Sequence, residues 1–384
     1  MSALLFRPID LRGLTLPNRI VVEPMTQFSA NDGTAGDWHL MHLGQYAVSG
    51  AGLVLTESTY VAAQARNTPM CLSLYSDEQE HAIARIKRFF DAYGNTRFGV
   101  QLCHAGRRAS AKEPWLGGGP RLPQEGGYPN VAPSPVPLSA KWPTPRELTH
   151  TDIAEIRDAF VGAARRALRA GVDLIELHSA HGYLLHQFLS PLSNRRGDRY
   201  GDSLENRMRF PLEIFEAVRA VWPAEKPLGV RVSATDWVDG GWDLDQTLAF
   251  ARALDMLGCD FIDVSSAGLS EQQKIVIGPG YQTPFAAAIK QAVKMKVIAV
   301  GLITSAWQAE TILMTGQADM IGLARAMLYD PRWPWHAAHE LGEKLVYPRQ
   351  YERAHPSQKG GAGINAPGNA VPPPAMTTTR GKAS

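Results

Sequence analysis

The chain has 384 residues, of which 45% are hydrophobic, and its 39 Lys and Arg side chains nearly balance 37 Asp and Glu. This length allows one large core or two small ones, because α/β barrels often exceed about 200 residues as a single domain. Without a block of Lys and Arg, nothing indicates a nucleic acid or an anionic membrane as a partner. No apolar run is long enough for a membrane span and no signal-peptide pattern is found, so we expect a cytoplasmic enzyme.

The cysteines, Cys71, Cys103 and Cys259, lie far apart in the sequence, and no Cys-x-x-Cys occurs. This spacing excludes an all-Cys zinc or iron–sulfur site and argues against a disulfide framework. The cysteine pattern therefore agrees with a cytoplasmic protein.

Short apolar runs alternate with longer helical patterns along the chain. Each run is apolar throughout and is followed by small or polar residues, which is typical of strands buried on both faces. The candidate strands are residues 19–22, 52–56, 98–102, 173–177, 228–232, 261–264, 297–300 and 320–323. Strands that alternate with helices in this way predict an α/β fold of the (β/α)8 TIM-barrel type more readily than an open sheet.

The stretches between these runs have helical patterns. Residues 152–168 keep their apolar side chains on one stripe, and Thr151 is a candidate N-cap in front of them. Residues 205–222 and 245–257 show the same amphipathic pattern. We therefore expect a helix over each of the three stretches.

Two segments break the alternation. Residues 111–147 are rich in Pro and Gly and follow the third predicted strand. A loop of this length at the carboxyl end of a barrel strand predicts an active-site wall. From about residue 356 the chain has almost no large apolar side chain, so we predict a single barrel domain over 1–355 and a disordered tail over 356–384.

Two histidines and a tyrosine, His178, His181 and Tyr183, follow the fourth predicted strand. In a barrel, the carboxyl ends of the strands are where the chemistry takes place. Two imidazoles could bind an anionic or carbonyl oxygen, or a metal ion, and a phenol could deliver a proton. A zinc site needs a third ligand, and Glu176 points to the opposite face from its strand neighbours, which we interpret as the helix side. The sequence therefore predicts no metal.

Polar groups also follow the other predicted strands. They are Glu23, Pro24, Met25 and Thr26 after the first strand, Ser58 after the second, Gln101 in the third, Arg231 in the fifth, Ser265 and Ser266 after the sixth, Gly301 after the seventh, and Ala324 and Arg325 after the eighth. Amide, hydroxyl and guanidinium groups at one face suit a planar polar heterocycle that carries a phosphate. Barrel phosphate sites usually form after strands seven and eight. Because no Gly-x-Gly-x-x-Gly follows a strand, the implied cofactor is a mononucleotide.

Nine motifs together resemble one known family. They are residues 17–20, 24–25, 101–107, 178–183, 188–194, 199–207, 231–233, 280–282 and 324–325. From about residue 5 to residue 353 the chain is similar to the old yellow enzymes, which are FMN-dependent ene-reductases or NADPH dehydrogenases. The thermophilic-like bacterial class, near the xenobiotic reductases, resembles it best.

The resemblance implies tightly bound, non-covalent FMN, with NADPH or NADH as the reductant. The implied FMN-binding residues are Pro24, Met25, Thr26, Ser58, Gln101, Arg231, Gly301, Ala324 and Arg325. By the same resemblance, His178 and His181 bind the carbonyl oxygen of an α,β-unsaturated substrate. Hydride from flavin N5 then adds at Cβ while Tyr183 protonates Cα, in a ping-pong cycle.

The resemblance also implies a homodimer or homotetramer in which Arg353 reaches the active site of a neighbouring subunit. Three positions depart from the family pattern. Thr26 stands where the most similar class usually has Cys, and Phe28, at a substrate-binding position, stands where that class has Tyr. We expect altered substrate binding and retained chemistry. Glu23 replaces a small residue, and a carboxylate near the flavin would disfavour its reduced anion unless the side chain points away.

Several alternatives remain open on the sequence alone. The flavin could serve nitro compounds, quinones or nitrate esters, or the protein could be a flavin-holding redox sensor or a metal-dependent barrel lyase or hydrolase. Arg231 could belong to a buried structural ion pair, and Gln101 could bond only to barrel backbone. Ser58 could contribute through its backbone alone.

Overall fold

Parallel strands close into a barrel in the computed structural model of the chain, which describes residues 2–354. The strands are β1 (Ile20–Val22), β2 (Leu53–Leu55), β3 (Arg97–Cys103), β4 (Leu174–Ser179), β5 (Leu228–Ser233), β6 (Phe261–Ser265), β7 (Lys296–Ala299) and β8 (Met320–Leu323). Each strand pairs in parallel with the next, and β8 pairs with β1. This closure confirms the predicted (β/α)8 barrel.

Helices follow the strands and cover the barrel. They are α1 (Asp37–Ala47), α2 (Asp77–Tyr93), α3 (His150–Arg169), α4 (Leu184–Leu189), α5 (Leu204–Val221), α6 (Leu244–Met256), α7 (Thr283–Ala292), α8 (Ala306–Met314), α9 (Arg325–Tyr329) and α10 (Trp333–Glu340). None of the helices within residues 2–354 has both the length and the hydropathy of a membrane span.

Shorter strands extend this framework. An antiparallel hairpin of Ile9–Leu11 and Leu14–Leu16 packs against the side chains inside the barrel and closes its amino-terminal end. Thr59–Tyr60 pairs in parallel with the end of β3. Within the predicted long loop, Val131–Ala132 pairs with Arg146–Glu147. The loop thus has short structure of its own between β3 and α3.

The side chains of β4 alternate between the barrel interior and the helix layer. Leu174 belongs to the inner apolar cluster, whereas Ile175 and Leu177 belong to the large cluster that the helices share. Glu176 accepts a hydrogen bond from Nε2 of Gln101 at 2.7 Å inside the barrel. The interpretation that Glu176 faces the helices is therefore wrong, because its apolar neighbours take that side.

The start of α3 differs from the prediction by two residues. Oγ1 of Thr149 accepts from the backbone N–H of Asp152 at 3.2 Å, and Asp152 Oδ2 accepts from the N–H of Thr149 at 2.7 Å. This reciprocal pair is a capping box, which satisfies two amide groups that the helix leaves open. Thr149 is the N-cap, and the predicted Thr151 lies inside the first turn.

The chain divides into two compact units, Met1–Leu345 and Val346–Ser384. The first unit contains the barrel. In the second, Arg349–Ala354 forms a 3-10 helix on which Arg353 is exposed. The predicted disordered tail, 356–384, lies outside the described residues.

Candidate active site

The end of β4 brings His178, His181 and Tyr183 together. Nε2 of His178 lies 3.3 Å from Nδ1 of His181, and the rings of His178 and Tyr183 are 5.0 Å apart, centroid to centroid. A tight turn achieves this, because His181 and Gly182 both have positive φ angles, 56° and 72°. The three side chains therefore form one polar group at the mouth of the barrel.

Hydrogen bonds orient the two imidazoles. Nδ1 of His178 accepts from the N–H of Ala180 at 3.3 Å, so Nε2 carries the proton. Nε2 of His181 lies 2.7 Å from Oγ of Ser265. The backbone of His181 is fixed as well, since its N–H donates to Oγ of Ser233 at 2.9 Å. Each imidazole ring thus directs one nitrogen toward the other imidazole, and its second nitrogen contacts a neighbouring group of the protein.

Burial sets the protonation of the three groups. It lowers the pKa of His178 and of His181 well below the usual 6.5, with further lowering by the neighbouring imidazole on His178 and by Arg231 on both. Burial also raises the pKa of Tyr183 to about 12. At neutral pH the site therefore contains two uncharged imidazoles and a protonated phenol. Such groups can donate hydrogen bonds to an oxygen and hold a proton for transfer.

A buried histidine–aspartate pair supports this turn from behind. Nδ1 of His186, on α4, accepts from the N–H of Gly182 at 2.9 Å, and its Nε2 lies 2.9 Å from Oδ1 of Asp236. Asp236 also accepts from Oγ of Ser190 at 2.6 Å. Sequence reasoning missed His186 and Asp236. The sequence signal that could have revealed His186 is that it is a polar residue inside the apolar run of α4.

Arg108 and several aromatic residues lie beside Tyr183. The Arg108 guanidinium lies 5.6 Å from the Tyr183 ring centroid, and its Nη1 donates to the carbonyl of Gly268 at 2.6 Å. Tyr183 and Phe28 pack on the same small apolar cluster. Trp115, from the long loop, meets Phe28 edge to face at 5.5 Å. The loop therefore contributes an aromatic residue beside Phe28.

A cavity of about 160 Å³ lies after β7 and β8. Gly301, Ala324 and Arg325 all line it, as the sequence predicted for a phosphate site. Gly301 has φ 113°, and a Cβ there would come within 2.8 Å of the Gln282 amide, so the position requires glycine. Arg325 is exposed and pairs with none of the carboxylates in residues 2–354. These features fit a phosphate.

Arg231 lines the same cavity and contacts two buried carboxyl groups. Its Nη1 lies 2.9 Å from Oε2 of Glu23, and its Nε lies 2.8 Å from Oδ2 of Asp263. Glu23 points into the barrel. Its Oε1 is so near Gly322 that a Cβ on Gly322 would lie 2.1 Å from it. Arg231 therefore lines the cavity, as predicted for a cofactor-binding residue. It also belongs to a buried ion pair, which was the alternative interpretation of this residue.

The remaining predicted residues occupy the ends of β1, β2 and β3. Oγ of Ser58 donates to Oε1 of Gln101 at 2.9 Å, and Gln101 is completely buried. The Gln101 side chain thus bonds to Ser58 and Glu176. Pro24, Met25 and Thr26 are partly buried in the segment after β1. Among the described residues, no three His, Cys, Asp or Glu side chains come together as a metal site.

Comparison with known proteins identifies the family. The sequence model of the NADH:flavin oxidoreductase / NADH oxidase family matches residues 4–344. The chain belongs to this family. Within it, an NADPH dehydrogenase of Geobacillus sp. (strain WCH70) is 44% identical over 355 residues, which cover 92% of this chain and 99% of that protein.

Two solved structures related to this flavin oxidoreductase extend the comparison. Morphinone reductase is 29% identical with a TM-score of 0.75, and the match covers 91% of this chain and 92% of that one. It has also been solved in complex with tetrahydroNAD. The old yellow enzyme homologue of Zymomonas mobilis is 24% identical with a TM-score of 0.74 and coverages of 90% and 94%, and this likeness shows the fold.

The resemblance to old yellow enzymes is thereby confirmed. The protein is an FMN-dependent oxidoreductase of the NADPH dehydrogenase type, with NADPH or NADH as the reductant. The cavity after β7 and β8 is lined by Gly301 and by Arg325, which pairs with no carboxylate of the described residues, and these features fit the phosphate of FMN. Arg231 lies where a guanidinium can face a bound heterocycle.

Proposed function

We propose that the protein reduces the activated C=C bond of α,β-unsaturated carbonyl compounds. The observation that carries this proposal is the pair of uncharged imidazoles, 3.3 Å apart, beside the protonated Tyr183. Two N–H donors that converge on one point suit a carbonyl oxygen, and a hydrogen-bonded carbonyl polarises the alkene next to it. Bound FMN supplies the hydride that adds at Cβ.

His178 and His181 can both donate to one substrate oxygen in a single arrangement of protons. Nε2 of His178 already carries its proton, because Nδ1 accepts from Ala180. His181 donates from Nδ1 when Oγ of Ser265 donates to its Nε2, across the 2.7 Å that separates them. Tyr183, with a pKa of about 12, keeps its proton until the carbanionic Cα forms beside it.

FMN would be held by Arg325, Ala324 and Gly301 at the phosphate, by Arg231 at the pyrimidine edge, and by the segments around Pro24, Met25, Thr26, Ser58 and Gln101 elsewhere. The nicotinamide of NADPH or NADH would occupy the same histidine pair in the reductive half of a ping-pong cycle. Morphinone reductase, a structural relative, has been solved in complex with tetrahydroNAD, which supports nicotinamide binding. Phe28 would border the substrate, and an aromatic wall favours apolar, cyclic acceptors.

Tyr183→Phe tests the proton-donor role. We expect turnover of cyclohexenone with NADPH to fall by about 10²-fold or more, because the general acid is gone, while NADPH oxidation by oxygen stays within about twofold. Stopped-flow measurement of the oxidative half-reaction separates the two. Equal losses with cyclohexenone and with oxygen would contradict the proton-donor role of Tyr183.

The same stopped-flow measurement on the wild-type protein tests the substrate class. Faster reduction of nitro compounds than of enones and maleimides would favour a nitroreductase.

We also propose a reducing, cytoplasmic location, which the burial of all three free cysteines supports.

We further propose a homodimer or homotetramer in which Arg353 of one subunit reaches the active site of its neighbour. Arg353→Ala should raise the KM for the enone by about tenfold, since a charged contact is lost, while Arg349→Ala serves as the control. Light scattering must show an oligomer, and a monomeric protein would contradict this arrangement.

A further inference from the structure

Glu23 belongs to a cluster of charged groups inside the barrel mouth. Three carboxyl groups, those of Glu23, Glu176 and Asp263, lie beside the guanidinium of Arg231. Their exposed fractions are 1%, 0% and 0%, and that of Arg231 is 7%. We call the three carboxyl groups the carboxylate cluster. It comes from β4, β6 and the end of β1, and the guanidinium comes from β5.

The contacts around the carboxylate cluster leave too little positive charge for it. Arg231 reaches Glu23 at 2.9 Å and Asp263 at 2.8 Å, whereas Glu176 accepts from the neutral Gln101 amide at 2.7 Å. If all three carboxyl groups were ionised, negative charges would exceed positive charges by two in a buried site. Buried charges without a partner are strongly unfavourable, and such groups take up a proton instead.

Glu23 is the best placed of the three to hold a proton, and burial also raises the pKa of Glu176 to about 8, so a second proton on Glu176 removes the remaining excess charge. Burial raises the pKa of Glu23 well above the usual 4.5, the charge of Asp263 raises it further, and Arg231 opposes this only in part. Glu176 adds to the rise, and Arg325 lines the same cavity from the start of α9. Geometry agrees, since Glu23 and Asp263 contact the same guanidinium and share a side-chain hydrogen bond, which requires a proton on one of the two carboxyl groups.

We propose that Glu23 is a neutral carboxylic acid in the native protein, that it donates a hydrogen bond to the Asp263 carboxylate, and that Arg231 is therefore opposed by fewer negative charges where it faces the FMN pyrimidine. Glu23 and Arg231 line the cavity that Gly301 and Arg325 share, so both act on the same bound group. This assignment rests on the proposed arrangement of FMN in that cavity. Glu23 is then a positioning residue, and it does not place a negative charge against the reduced flavin.

Infrared spectroscopy of the full-length protein as purified tests the proton directly. The carbonyl stretch of a protonated carboxylic acid is separate from the bands of a carboxylate. A wild-type minus Glu23→Gln difference spectrum at pH 7 should contain this stretch, and isotope exchange in D2O should shift it. If the difference spectrum contains only carboxylate bands, Glu23 is ionised and the proposal is wrong. The result does not depend on the reaction that the protein catalyses.

The midpoint potential of the bound FMN tests the consequence. Because Glu23→Gln exchanges one neutral group for another, the ratio of the affinities for reduced and oxidised FMN should change less than threefold. Asp263→Asn, the matched variant, removes a true negative charge and should change that ratio more than tenfold, which is about 30 mV for a two-electron couple. A tenfold change in Glu23→Gln would overturn the proposal. Glu23→Ala, which removes the whole side chain, gives the same comparison if the Gln variant does not fold.

Infrared spectroscopy and the release of FMN on denaturation distinguish the inference about Glu23 from the proposed arrangement of the cofactor. If the purified protein released no FMN on denaturation, the proposed arrangement of the cofactor would fail, and the infrared result would still decide the state of Glu23. If FMN is bound but the acid stretch is missing, only the inference about Glu23 fails.

Discussion

Ser265 contacts Nε2 of His181, and we expect its hydroxyl group to donate there and so to favour the His181 tautomer that carries its proton on Nδ1. Without a donor at Nε2, the neutral His181 ring can place its proton there and point an acceptor, Nδ1, toward Nε2 of His178. An acceptor at that point repels a carbonyl or phenolate oxygen. A hydroxyl outside the reacting group therefore controls whether the pair offers one donor or two.

Ser265→Ala should weaken phenol binding about tenfold, in line with the loss of one hydrogen bond to a polar ligand, about 1.4 kcal/mol. Phenol is the probe, because its oxygen can accept from the two imidazoles as a carbonyl oxygen would, and the absorbance change of the bound FMN provides the titration. Ser266→Ala is the matched control, because the hydroxyl of Ser266 bonds to Oε1 of Gln282 at 2.6 Å and not to a histidine. Identical phenol affinities in the two variants would contradict the role of Ser265.

The turn after β4 depends on α4 for its shape. His186 binds the backbone of Gly182, and Asp236, in the segment after β5, holds His186 from the other side. Both side chains are completely buried. Although burial raises the pKa of Asp236, His186 and the hydroxyl of Ser190 lower it below the usual range. The pair thus links the catalytic turn to the neighbouring strand.

Asp236→Asn should lower the free energy of unfolding by about 1.5–3 kcal/mol, because the buried imidazole of His186 loses a charged hydrogen-bond partner. Urea denaturation measures this loss. Asp330→Asn is the control, since Asp330 pairs with a half-exposed His336, and it should cost about 0–1 kcal/mol. We expect weaker phenol binding in the Asp236 variant only, and equal losses of stability in the two variants would show that the buried pair has no special role.

The sequence predicted the barrel elements well because buried parallel strands leave a direct signature. The sixth strand was expected over 261–264 and runs over Phe261–Ser265. The cap of α3 was misplaced because Thr149 and Thr151 both suit the position and only Asp152 decides between them. The contact of Glu23 with Arg231 could not be predicted, since it requires the register of strands on opposite sides of the barrel.

The stability of the whole molecule should depend on pH through the carboxylate cluster. The pKa of Glu23 is raised in the folded protein, so the folded state binds a proton that the unfolded state releases above pH 4.5. Its contribution is therefore full below the unfolded pKa and is lost as the pH rises. His178 and His181, whose pKa values are lowered, act in the opposite direction below about pH 6.5.

Glu23→Gln isolates the Glu23 contribution. Relative to the variant, the wild-type protein should lose about 1.4 kcal/mol of unfolding free energy per pH unit between pH 5 and the folded pKa of Glu23. Urea titrations of both proteins over pH 5–9 measure the difference. Parallel stability profiles would show that Glu23 has the same pKa in both states.

The close approach of Glu23 to Gly322 has a consequence for how this barrel can change. A methyl group on Gly322 would occupy the position of the Glu23 carboxyl group, so the two positions cannot both be large. The same methyl group would also meet Cγ1 of Val300 at 2.5 Å, so an alanine at 322 requires smaller side chains at both Glu23 and Val300. The three positions are therefore epistatic. Libraries that vary only one of them will miss the combinations in which they change together.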